Sequence, residues 1–197
     1  MRRSKYGVRK KSRHLFIGSM VCLFCFQAKG KTNVTSEVRA SDRFSWSEHR
    51  KLSWEDFKGP SDGGSHESAA ATCCSIGFKI DNTGTGDRKV TVYNTFYIDR
   101  SWVKEDARIG SILAHEQGHF DLCELYTRKL RERTAAIDVN AKDLKQQLMD
   151  IYAAVNDEYE ARQQAYEYET THGTDLPAQN RWERMIQREL TEAPQSI

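Results

Sequence analysis

Residues 115 to 119 read His-Glu-Gln-Gly-His, an H-E-x-x-H pattern. An α-helix advances about 100° per residue, so His115 and His119 project within roughly 40° of one another, one turn apart, and both imidazoles reach a single cation. Only six histidines occur among 197 residues, which makes a chance match to this pattern rare. Two neutral imidazoles and a third protein donor hold Zn2+ with one position left for water, whose pKa is drawn down towards about 7. Glu116, about 100° round the helix, is then the expected general base, taking the water's proton and passing it to a leaving amine. The spacing predicts zinc as cofactor and hydrolysis as the chemistry.

The third donor is not settled by the motif. Leu122 and Leu125 stand where the longer H-E-x-x-H-x-x-G-x-x-H signature needs Gly and His, which excludes a metzincin. Glu124 is turned about 140° from His119 on the same helix. Glu158, Glu169 and His172 are the remaining candidates, and composition and spacing leave the three open. Gly118, inside the motif, lowers helix propensity by about 1 kcal/mol relative to Ala, so either something packs close there or the site needs the space.

These residues must be positioned by the elements around them. From Arg108 apolar residues recur at helical spacing (Ile109, Ile112, Leu113, Phe120, Leu130), with Arg131 to Arg133 in the last turns. A second long helix is predicted from about Ala141 to Glu167, and residues 177–190 suit a short final one. Upstream the period is two. Phe44 to Phe57 is strand-like until Lys58-Gly59-Pro60 breaks it, and Ala71 to Ile80 is a second strand closed by a turn at Asn82 to Gly86. Val90 to Ile98 alternates as a half-buried strand and is the expected outer strand, along which a peptide would add. The sum is an α+β layout: a small antiparallel or mixed sheet followed by two long helices.

The composition, with 38% hydrophobic and 29% charged residues, is that of one ordinary soluble domain and excludes a multi-span membrane protein or a low-complexity chain. The formal charge of +2 conceals an asymmetry. Met1 to Lys31 carries nine basic residues and no acidic one, and Leu15 to Phe26 is an uncharged, mainly apolar run too short to span a bilayer. This predicts a signal peptide over 1–30, a polar leader over 31–43 and a single domain over 44–197. Loss of residues 1–30 leaves 22 basic against 28 acidic residues, a formal charge of −6. An acidic mature chain argues against nucleic acid as a partner, and a cleaved signal against stable membrane insertion; the expected location is secreted or periplasmic. The remaining Cys73, Cys74 and Cys123 are an odd number and form no disulfide framework.

Several segments carry a resemblance. Leu52-Ser-Trp-Glu-Asp-Phe-Lys-Gly59, Ala70-Ala-Thr72, Ser101-Trp102, Leu113-Ala-His-Glu-Gln-Gly-His-Phe-Asp121 and Tyr166-Glu-Tyr-Glu-Thr-Thr-His-Gly173 resemble, in that order, an uncharacterised family of secreted bacterial proteins, domain of unknown function 922. That family looks like a zincin-type metalloprotease group, which implies a zincin-like active-site helix here. Its late Y-[DE]-x-x-T-x-H-G element implies His172 as the third zinc ligand, beside His115 and His119. Glu167 stands in that element where Asp is common, and a carboxylate there is implied to orient an imidazole. Tyr166 and Tyr168 are expected to pack in the core or to donate to a developing oxyanion, and Arg162 to pair with Glu158 or to orient a substrate carboxylate.

The reading is a secreted zinc metallopeptidase acting on a peptide or protein substrate, with Glu116 as base. The competing one is a non-catalytic cell-envelope protein whose zinc staples the second helix and the Thr170 to Gly173 loop to the first.

Overall fold

A computed structural model describes residues 42–61, 68–82 and 88–193. The expected signal peptide and all but the end of the polar leader lie outside them. Among the described residues five strands precede three helices: β1 (Arg43–Phe44), β2 (Ala70–Ala71), β3 (Cys74–Asn82), β4 (Arg88–Tyr97), β5 (Trp102–Val103), α1 (Gly110–Thr134), α2 (Leu144–Glu169) and α3 (Leu176–Glu192). The architecture is α+β with small antiparallel sheets. No helix among the described residues is long and apolar enough to cross a membrane.

The main sheet runs β1-β4-β3, and β2 pairs with β5 in a separate two-stranded ribbon. β3 and β4 form a long hairpin, in register from Cys74 opposite Phe96 to Asn82 opposite Arg88. β4 is therefore the central strand, which corrects the expectation that Val90 to Ile98 lies outermost. Alternation reports that one face of a strand is buried but says nothing about which strands flank it. Here burial of Phe44 decides the second neighbour: its ring stacks on Phe96 at 5.0 Å, and β1 pairs with β4 through those two residues. The strand-like run from Phe44 to Phe57 is mostly irregular, closing in a 3-10 turn at Trp54–Asp56 that Asp56 caps by accepting from the Ser53 amide at 2.9 Å.

α1 packs against β3 and β4 of the sheet and against α2 and α3. Phe96 and Phe120, both fully buried, join sheet to helix with ring centres 5.2 Å apart. Because α1 is covered from several directions, its polar groups must find partners inside the protein. Asp121 accepts from the Trp46 indole at 2.6 Å, from Gln117 at 2.7 Å and from Gln187 at 2.9 Å. Glu124 accepts from Asn94 and is paired with Arg128 at 2.9 Å and Arg131 at 3.3 Å. These buried networks fix how α1 is rotated, and hence where its histidines point. Cys73, Cys74 and Cys123 are buried thiols in the same core.

Candidate metal centre

Helical spacing sets His115 and His119 one turn apart on α1, both fully buried. Two glutamines hold the rings. His119 Nδ1 donates to Gln163 Oε1 at 2.6 Å, and Gln163 Nε2 returns a bond to the His119 carbonyl at 3.0 Å. His115 Nδ1 donates to Gln179 Oε1 at 3.1 Å; Gln179 Nε2 donates to the Tyr166 hydroxyl at 2.8 Å, which itself donates to the His115 carbonyl at 3.1 Å. Each imidazole is thus tied to its own backbone carbonyl, directly in one case and through Tyr166 in the other. With Nδ1 of both rings donating to a glutamine, each Nε2 is the nitrogen whose lone pair a cation can take once its proton is lost.

Those lone pairs converge. The two Nε2 atoms stand 3.1 Å apart, and each lies 3.3 Å from a different oxygen of the Glu167 carboxylate. One donor atom from each of His115, His119 and Glu167 lies within 4.8 Å of the others, a group that could hold a metal ion. Glu167 Oε1 is buried and accepts no hydrogen bond. Two imidazoles and one carboxylate, all presenting electron pairs to one point, fit a divalent cation chemically and in size.

Electrostatics leads to the same point. Burial pulls the His119 imidazole down, but the negative charge of Glu167 beside it outweighs this and raises the group from 6.5 to about 9. Burial pushes Glu167 upward, and the two imidazoles more than reverse this, holding it well below the usual carboxylate range. The negative charge held on Glu167 beside two imidazoles favours a positive charge between them.

Tyr166 explains Gly118. A Cβ on Gly118 would stand 2.2 Å from the Tyr166 hydroxyl, so only glycine lets the tyrosine reach the His115 carbonyl. Its ring stacks on His115 at 4.7 Å and is fully buried, which makes it a support for the histidine pair. Tyr168, by contrast, is 83% exposed.

The chain reverses after α2 through Thr171, His172 and Gly173, all at positive φ. A Cβ on Gly173 would approach His115 Cβ and Cγ to 2.8 Å, so this loop packs directly against the histidine. The turn puts His172 Nδ1 2.8 Å from Glu167 Oε2 with its ring 39% exposed. The structure brings together His115, His119 and Glu116 on α1 and places Glu167, rather than His172, among the donors that lie within 4.8 Å of one another. His172 contacts the group from outside, through Glu167.

The other candidates are engaged elsewhere. Glu158 binds Lys129 at 2.6 Å and Arg133 at 2.7 Å, and Glu169 accepts from the Trp182 indole at 2.9 Å. Arg162 pairs with Glu189 at 2.8 Å and lies over Trp182, not with Glu158 as expected. Glu116 is fully buried beside the histidines, its backbone carbonyl accepting from Thr72 at 3.2 Å. Gln163 and Gln179 escaped the sequence reading because a glutamine on a helix carries no signature; only their spatial position reveals them.

Residues 50–173 match the family model described as bacterial protein of unknown function (DUF922), a span that takes in every residue named above at the centre except Gln179. No curated protein and no solved structure matches the chain.

Proposed function

This chain belongs to the bacterial family of unknown function DUF922, and we propose that it is an exported zinc-dependent hydrolase of peptide bonds. The observation that carries the reading is the pair of Nε2 atoms, each ring fixed by a glutamine, facing the Glu167 carboxylate. Zinc bound there would polarise a carbonyl and acidify a water. The chain's own residues do the rest. Gln163 and Gln179 keep both imidazoles neutral and aimed. Glu116, next to His115 and without exposure to solvent, receives a proton from the attacking water on its carboxylate and returns it to the departing nitrogen. Glu167 contributes the third donor and the negative charge that favours a dication, and His172 holds that carboxylate in place. The basic N-terminal segment and its short apolar run support export.

A second reading rests on burial. Both imidazoles are inaccessible, and the cluster joins α1 to α2, as a purely structural metal would. Replacing Glu116 with Gln separates the two. A hydrolase loses turnover of an unfolded protein substrate by at least a hundredfold while keeping one zinc per chain by elemental analysis. Undiminished turnover, or a wild-type protein that holds no metal, overturns the proposal.

A further inference from the structure

A cavity of about 650 Å³ runs along the outer edge of β3, with α2 as its opposite wall. Because β4 is central, this edge of β3 carries no partner strand among the described residues. The register says what it presents. The Tyr97 amide donates to the Cys73 carbonyl at 2.9 Å, so the odd-numbered residues of β3 face their main-chain groups towards β4. The amides and carbonyls of Ile76 and Phe78 therefore point away from β4, into the cavity. Among the described residues the Ile76 carbonyl accepts from the Tyr152 hydroxyl, at a marginal 3.5 Å. Buried or half-buried main-chain groups in this state call for a strand.

The walls define its side chains. Phe78 and Tyr152 pack edge to face at 6.0 Å on one side. Tyr93 lies across Gly77, where a Cβ would meet its ring at 2.9 Å, leaving a broad aromatic surface on the outer face of the hairpin. The α2 wall contributes Asp157 and Glu160 and no cation, while Arg100 stands on the sheet side over Tyr97. A side chain turned to α2 is accordingly basic, and one turned to the hairpin aromatic or large and apolar.

The cavity and the metal centre share one residue, Gln163. Its α2 residues, Met149 through Gln163, share one helix face, and Glu167 lies eighteen residues from Met149, five whole turns at about 100° per residue. Gln163, at the inner end, is the residue that holds His119. From it to Glu167 is one turn, about 6 Å along the axis.

We infer that the substrate is an extended peptide that adds to the free edge of β3 as a fourth strand, in the groove between β3 and α2, and prefers alternating basic and aromatic side chains. This rests on the hydrolase reading for the fate of the peptide, but the binding mode is testable apart from it. The mode is that of strand addition between a sheet edge and a helix, in which main-chain bonds supply affinity and side-chain pockets supply preference.

The test uses zinc-loaded Glu116→Gln protein, so that nothing is cleaved, and fluorescence anisotropy with a labelled decapeptide of alternating Phe and Lys. Comparators are the alternating Phe and Glu decapeptide and two versions of the first with every other amide N-methylated, one in each register. The Lys peptide binds at least tenfold tighter than the Glu peptide, and one methylated register loses at least tenfold while the other does not. Asp157→Lys with Glu160→Lys reverses the charge preference, and Phe78→Pro, which removes one cavity-facing amide without touching the bonds to β4, weakens binding at least tenfold. Equal binding of both methylated peptides and the parent overturns the inference without relying on any variant that fails to fold. If the groove binds as stated and wild-type protein cleaves nothing, the hydrolase reading falls alone. If wild-type protein cleaves and neither methylated register competes less well than the parent, the groove falls alone.

Discussion

Gln163 grips His119 twice, accepting from its ring at 2.6 Å and donating to its carbonyl at 3.0 Å, so that one side chain orients an imidazole of the candidate metal group. Removing it frees the ring to rotate and to place its proton on the wrong nitrogen. Gln163→Leu, similar in size and apolar, lowers zinc affinity by roughly ten- to a hundredfold, as loss of such a supporting bond does elsewhere. Chelator competition on the purified variant measures this; an unchanged affinity means that the ring is held by packing alone.

Glu167 and His172 contribute unequally to the proposed zinc site. Glu167→Gln removes the charge that three positions share and leaves zinc binding weaker by more than a hundredfold. His172→Ala removes only a support for that carboxylate and costs about tenfold. Elemental analysis after dialysis against a weak chelator reads both. Full occupancy in Glu167→Gln together with an empty site in His172→Ala exchanges the two roles.

Acidity enters through His119. Its imidazole, raised from 6.5 to about 9 in the metal-free protein, must lose a proton when a cation arrives, so apparent zinc affinity falls roughly tenfold per pH unit below about 9. The same shift acts on the fold. A group raised on folding contributes stability that is complete below about 6.5 and is lost as pH climbs to about 9. Glu167, depressed from 4.5, contributes above that value and loses its contribution as pH falls; the two belong to one ion pair and count once. Calorimetry of chelator-treated protein is expected to show a melting temperature that declines between pH 6.5 and 9, a decline that Glu167→Gln abolishes. A profile that the substitution leaves unchanged refutes the assignment.

Gly118→Ala tests the packing beneath the site. The new methyl stands 2.2 Å from the Tyr166 hydroxyl, and the tyrosine has no free space to retreat into because it is fully buried. Overpacking of this kind destabilises by about 1–3 kcal/mol, against the gain of about 1 kcal/mol that Ala brings to a helix interior. The outcome is a lower melting temperature and weaker zinc binding together, since Tyr166 supports His115. A melting temperature above wild type shows that Tyr166 moves freely.

Much of this arrangement was legible in the chain. The four-residue interval of His115 and His119 is a property of the helix itself, and Gly118 announced a close neighbour before Tyr166 was known to be it. Glu167 and His172 sit five residues apart across the end of α2, and their order around the metal depends on three consecutive residues in left-handed backbone conformations, which a pattern of residue types does not encode. The order of strands was hidden for a related reason: alternation in β4 records burial, and its flanking by β1 depends on one phenylalanine stacking on another from 52 residues away. Gln163 and Gln179 lie 44 and 64 residues from the histidines they hold, and nothing local marks them.

The turn at Thr171 to Gly173 also bears on how the chain can vary. Its last two residues stand there for unrelated reasons: His172 serves a carboxylate through its side chain, whereas Gly173 serves the backbone by having none and by leaving room for His115. A descendant sequence that lost the histidine would keep its loop and weaken its metal; one that lost the glycine would displace the loop and tilt the imidazole beneath it. The adjacent letters of one short signature are thus subject to independent selection, and the glycine is the less replaceable of the two.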